Sequence, residues 1–244
     1  MKGINMMELY HGTDARIIEM SNKERVQYLQ DCKLVIDALH PLFKPLLEWE
    51  KVETVRNGQT IYIYEYPLKL RYEELLNEKG GPHMYSNLYE KIMMIDARNN
   101  NAGLYQYKDL YLCSTKRSAM SYAQRSYAGG ETGLTAYRLI QGAEIIGFEN
   151  IYQDPLVKQA AEKIKQFAKE GNERPAIVTI DNIDIQCLFY EDGKTIDKDD
   201  FEEWFEQRKE HQLKFRYTKT VDLSQCKVEL LNKDLYKIII EENL

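Results

Sequence analysis

With 244 residues, 43% of them apolar and 30% charged, the chain has enough material to bury a core without staples and the composition of an ordinary globular protein. Thirty-three Lys and Arg against 39 Asp and Glu leave a net charge of −6, which excludes a protein that coats nucleic acid by bulk electrostatics but leaves room for one local basic patch. No run approaches the ~18 apolar residues that a membrane-spanning helix needs, and residues 1–10 are too weakly apolar for a secretory signal, so a cytoplasmic protein with no membrane partner is expected.

In chain order, residues 8–11 read as a short strand running into the turn-forming Gly12-Thr13-Asp14. Ser21 followed by Glu24 makes a capping box, and Val26, Leu29, Cys32, Val35, Ile36 and Leu39 recur every three or four positions, which predicts an amphipathic helix ending near His40-Pro41. Alternation over residues 59–66 with Asn57-Gly58 before it predicts a hairpin over 47–66. A helix is expected over 86–98, a Tyr-rich strand over 104–114 and a helix over 116–128. Gly129-Gly130-Glu131-Thr132-Gly133 reads as a loop before a strand at 134–140, the reverse of the strand-to-helix order of a dinucleotide phosphate loop. A helix from Asp154-Pro155 to Lys169, strands at 176–180 and 184–190, a helix at 199–209 and strands at 213–218 and 236–241 complete the chain. Helices followed mostly by strands, without regular βαβ alternation, predict an α+β domain.

Four cysteines lie far apart with no C-x-x-C pair, and there are only four histidines, so neither a disulfide framework nor a metal site is indicated. His40, before a proline, and His83, in a loop, have no partner at catalytic spacing and read as structural; Trp49 and Trp204 are expected to pack under surface helices. The tyrosines stand out. Eighteen in 244 residues are more hydroxyls than a core satisfies cheaply, so many of these rings should line clefts.

Two words carry chemistry: Leu9-Tyr10-His11-Gly12-Thr13, and Leu110-Tyr111-Leu112-Cys113-Ser114-Thr115-Lys116-Arg117-Ser118-Ala119-Met120-Ser121-Tyr122-Ala123. Together they resemble the first two motifs of the ADP-ribosyltransferase superfamily, in the His-Tyr-Glu branch that includes diphtheria-type toxins and poly(ADP-ribose) polymerases. The match is specific over about twenty positions and loose over the rest of the chain. The resemblance implies two small, packed, mostly antiparallel sheets with surrounding helices. It also implies a single domain over 1–244 with a helical and hairpin insertion at about 20–100, where acceptor recognition would fall.

The residue types suit the splitting of NAD, which would serve as substrate. Nicotinamide in NAD is a flat cation, and two tyrosine faces, Tyr111 and Tyr122, can sandwich it at ~1 kcal/mol each. Gly12 lets a carboxamide approach the backbone because no Cβ intervenes. By the resemblance, His11 holds the adenosine-ribose hydroxyl with Thr13 beside it, and the Ser118 hydroxyl reaches the carboxamide. His11 and Tyr111 should then touch one dinucleotide in one cleft. Lys116, Arg117, Arg125 and Arg138 are further candidates for the cleft, to neutralise the pyrophosphate or a polyanionic acceptor; the alternative is a solvated face.

The third motif stays open. Glycosidic cleavage passes through an oxocarbenium-like cation that a carboxylate stabilises, and the family supplies a Glu at the head of a late strand. Here spacing favours Gln212, chemistry favours Glu210, and Glu191 is a third candidate; Glu210 and Gln212 also fit a solvated helix end. The expected function is an NAD-dependent ADP-ribosyltransferase that releases nicotinamide and modifies a protein or nucleic acid. A bacterial or phage toxin or effector would have an antitoxin or immunity partner. The alternatives are a degenerate binding module with Gln212 in the carboxylate slot, and an NAD glycohydrolase.

Overall fold

The computed structural model describes residues 7–99, 110–148, 153–169, 171–181, 183–197, 201–222 and 226–232. It is α+β, and the chain divides into two compact units, one comprising Met1–Val26, Leu104–Leu134 and Phe167–Leu244, the other Gln27–Gly103 and Thr135–Gln166.

The first unit is built on one six-stranded antiparallel sheet. Its strands are β1 (Leu9–Asp14), β4 (Leu110–Cys113), β5 (Pro175–Ile180), β6 (Leu188–Tyr190), β7 (Lys214–Tyr217) and β8 (Lys227–Leu230), in the spatial order β6-β7-β4-β1-β5-β8. In place of two small sheets there is this one and a separate two-stranded ribbon in the second unit. The sheet is unevenly stitched. β1 pairs with β5 over six residues and β4 with β7 over four, but β1 and β4 share a single registered pair, Tyr10 with Cys113.

One face of the sheet carries Leu9, Leu112, Val178, Phe215 and Tyr217, packed with Phe201 and Phe205 of α8 (Phe201–Arg208) and with Ile196. The Phe215 ring meets Phe201 edge-on at 5.9 Å and Phe205 at 6.1 Å. Each such ring taken out of water contributes about 1.5–3 kcal/mol. The opposite face is covered by α5 (Lys116–Arg125), which Thr115 caps by accepting from the Ser118 N–H. Ala119 and Ala123 of α5 lie directly on Gly12: a Cβ there would sit 1.9 Å from the Ala119 carbonyl oxygen and 2.6 Å from the Ala123 nitrogen.

β1 ends in Asp14, which caps α1 (Ala15–Glu19). Its buried carboxylate receives Nε and Nη2 of Arg16 at 2.8 Å each and the Arg174 N–H at 3.0 Å. The Arg16 guanidinium also donates to the Phe167 and Tyr127 carbonyls and stacks 4.1 Å from the Phe167 ring.

The second unit joins α2 (Asn22–Phe43), the β2–β3 ribbon (Glu50–Arg56 and Gln59–Glu65), α3 (Pro67–Gly80), α4 (Met84–Asn99), α6 (Glu131–Ile146) and α7 (Pro155–Phe167). Phe43, Leu68, Leu76, Leu88, Ile92 and Leu139 are fully buried. The capping box forms as expected, with Ser21 N–H and Oγ–H both donating to Glu24. Asn57 and Gly58 have positive φ, as the tight hairpin turn requires.

Three of these expectations need correction, and two elements are additions. Residues 134–140 are helix, within α6, because Ala136, Leu139, Ile140 and Ala143 are buried at helical spacing. Over 184–190 only Leu188–Tyr190 is strand, after a 3-10 turn at Ile185–Cys187. The helix α3, with Pro67 at its first turn, and the strand β8 are additions. Trp49 is 61% exposed and lies against Tyr66 with ring centres 4.2 Å apart, so it is not packed under a helix. The expected strand at 236–241 and residues 104–109 of another lie outside the described residues.

Candidate functional site

The weak seam between β1 and β4 is where the motif residues gather. Along an extended strand successive amides and carbonyls point to alternate edges. Ala15 N–H, just past β1, donates to Arg174 on the β5 side at 2.7 Å, so Gly12, in the other phase, directs its N–H and C=O toward β4. Gly12 lies beyond the one registered β1–β4 pair, at a notch in the ladder beside Tyr111, and it is buried: the α5 backbone at Ala119 and Ala123, and not a ligand, takes the space that its missing Cβ leaves.

His11 closes one side of that notch. Its Nδ1 lies 2.9 Å from the Tyr111 carbonyl oxygen. A carbonyl only accepts, so Nδ1 is the donor. Burial lowers the His11 pKa more than this bond raises it. The imidazole is therefore neutral, with Nε2 left as a lone-pair acceptor.

Register fixes which side chains share a face. Tyr10 pairs with Cys113, Cys113 with Lys214, Tyr111 with Arg216, and Arg216 with Phe189. These side chains and Gly12 belong to the α5 face, while His11 and Thr13 follow Leu9 on the other. The expectation of one cleft for the His11 and Tyr111 side chains is thereby contradicted. Their side chains leave opposite faces of the sheet, and what joins them is the hydrogen bond at the notch, so a shared ligand has to cross the strand edge. Thr13 is buried opposite Ala176.

Tyr122, on α5, is half-buried beside Tyr10, Cys113, Ala119 and Met120. Ser118, one turn earlier, is buried; its hydroxyl accepts from Thr115 Oγ1 at 3.0 Å and keeps its own O–H to donate. Tyr111, Tyr122 and Ser118 are thus on the α5 side of the sheet.

The three acidic-slot candidates occupy different places. Glu210 is exposed on a 3-10 turn, Lys209–His211, ahead of β7, close enough for its charge to help raise the Tyr10 pKa. That pKa reaches about 12, chiefly through burial and then through the 3.0 Å hydrogen bond to Glu8. Gln212 is exposed and left-handed, with φ 56°. Glu191 follows β6 and is half-buried, its Oε2 3.9 Å from Nζ of Lys214. Nζ of Lys214 also lies 5.4 Å from the centre of the Tyr122 ring, and Tyr122 is the main cause of its raised pKa. Lys214 lies outside both motif words; period-two alternation along Lys214-Phe215-Arg216-Tyr217 is the signal in the sequence that points to it, because it puts both cations on one face.

The proposed basic lining disperses. Lys116 pairs with Glu229 at 2.9 Å, Arg117 and Arg125 are exposed on α5, and Arg138 belongs to the second unit, where it donates to Gln141. Among the described residues no three His, Cys, Asp or Glu side chains gather to hold a metal ion, and no helix is long and apolar enough to cross a membrane. No protein-family model, no curated protein and no solved structure matches the chain.

Proposed function

We propose that the chain is an ADP-ribosyltransferase that binds NAD across the β1–β4 notch, releases nicotinamide and transfers ADP-ribose to a protein or nucleic acid. The observation that carries the reading is the adjacency of the three motif strands: β1 with His11, β4 with Tyr111 and β7, ahead of which the third motif was expected, are consecutive in the sheet although about 100 residues separate each from the next. Neutral His11 has an acceptor for a ribose hydroxyl, Gly12 directs a backbone donor and acceptor into the notch, and Ser118 supplies a hydroxyl for the carboxamide. Tyr111 and Tyr122 supply ring faces for a flat cation. Holding the dinucleotide bent in this way exposes the anomeric carbon to attack.

For the carboxylate we favour Glu191 over Glu210. Both are within reach of the α5 face, but Glu191 is half-buried and lies 3.9 Å from Lys214 Nζ, whereas Glu210 is exposed and its charge is better screened. The exposed Gln212 favours a second reading, a degenerate binding module, if the slot at the head of β7 is the one that matters.

Free nicotinamide from NAD, followed for wild type, Glu191→Gln, Glu210→Gln and Gln212→Glu, tests the proposal. Release that falls ~10²–10³-fold in Glu191→Gln alone supports it. The same loss in Glu210→Gln moves the role there, and no release by wild type leaves the binding module. Labelled ADP-ribose retained on macromolecules in a lysate separates a transferase from a glycohydrolase.

A further inference from the structure

Three contacts converge on Lys214. It pairs across the sheet with Cys113, so its side chain rises on the face of Tyr111 and Tyr122. Its Nζ lies over the Tyr122 ring, 5.4 Å from the ring centre. On the other side Nζ is 3.9 Å from Glu191.

We infer that Lys214 is a positioning residue for breaking the nicotinamide–ribose bond: held between Tyr122 and Glu191, it opposes the positive charge of the nicotinamide ring in bound NAD and so favours a transition state from which that charge has left. The inference rests on the proposed reading of the site. In NAD the pyridinium ring carries a full positive charge. When the bond from C1″ to the ring nitrogen breaks, its electron pair goes to that nitrogen and nicotinamide leaves neutral, while the cationic charge passes to the ribose. The acceptor oxygen, water in the simplest case, then bonds to C1″ and releases its proton to solvent. The Lys214 ammonium therefore faces a like charge before the step and a neutral ring after it. Glu191, paired with the same ammonium, keeps a negative charge near the developing cation. An interaction that is worse in the ground state than in the transition state weakens substrate binding and raises kcat together.

Nicotinamide and 1-methylnicotinamide separate charge from shape, because the rings match and only the second is a cation. Their binding to wild type, Lys214→Met and Lys214→Arg is measured by calorimetry, alongside kcat for nicotinamide release. Lys214→Met should tighten 1-methylnicotinamide by about ten-fold, leave nicotinamide within about two-fold and lower kcat by about ten-fold, since a like charge several ångströms away in a partly wetted site acts on that scale. Lys214→Arg, which keeps the charge, should stay close to wild type. Equal shifts for the two ligands, or a kcat unchanged in Lys214→Met, would overturn the inference. Charge discrimination by a wild type that releases no nicotinamide would retain the electrostatic role of Lys214 and refute the transferase reading alone. Failure to bind either ligand refutes both.

Discussion

Gly12→Ala is the smallest change with the largest expected consequence. The added methyl carbon would lie 1.9 Å from the Ala119 carbonyl oxygen, 2.6 Å from the Ala123 nitrogen and 2.9 Å from the Ala119 carbonyl carbon, all backbone atoms of one helix. No rotamer change relieves a backbone clash. To restore an ordinary 3.4 Å contact, α5 has to retreat by about 1.5 Å from β1, which opens the layer formed by Ala119, Cys113 and Ile177. Overpacking of a well-filled core costs about 1–3 kcal/mol, and here the obstacle is rigid, so the upper end, about 3 kcal/mol, is expected. For a chain of this size that lowers Tm by about 6–12 °C. Urea unfolding read by circular dichroism gives the loss directly, and a Gly12→Ala protein within 0.5 kcal/mol of wild type would refute the packing argument. The result bears on function as well, because it gives Gly12 a structural reason to be glycine that is independent of any ligand.

Asp14→Ala should destabilise by about 3–5 kcal/mol, since it leaves the Arg16 guanidinium, 18% exposed, without its bidentate carboxylate; denaturant titration of Asp14→Ala, Arg16→Met and the double variant should show the double change costing less than the sum. His11 gives a pH dependence of definite sign. Its folded pKa is lowered, so below the ordinary histidine range the unfolded chain takes up a proton that the folded one resists, and stability is lost as pH falls. Wild type should therefore carry a penalty at pH 5.5 that His11→Asn lacks, and the stability gap between them, widest at pH 8, should narrow on acidification. A gap that widens instead would mean a charged His11 in the fold.

The helices with a polar break at each end were legible because caps are local: Ser21 with Glu24, and Asn57-Gly58 between two alternating runs, state their structure within four residues. Residues 134–140 misled because a short apolar run suits a buried strand and a buried helix alike, and the deciding partners, such as Leu88 against Gly142, come from distant parts of the chain. At the candidate site the words around His11 and Tyr111 fall on two strands, β1 and β4, that are neighbours in the sheet. Their side-chain faces were not legible, since they depend on the Tyr10–Cys113 register, which no local pattern encodes. Lys214 escaped for the same reason: its meaning comes from Tyr122 and Glu191, 92 and 23 positions away.

The most direct measurement of the central claim is calorimetric titration of NAD into wild type, Tyr111→Phe and Tyr111→Ala. If nicotinamide lies against the Tyr111 ring at the β1–β4 notch, the ring face supplies the interaction and the hydroxyl is secondary. Tyr111→Phe should then bind within about two-fold of wild type and Tyr111→Ala about five- to ten-fold more weakly, the equivalent of ~1 kcal/mol. Equal losses in both variants, or no NAD binding by wild type, would contradict the account.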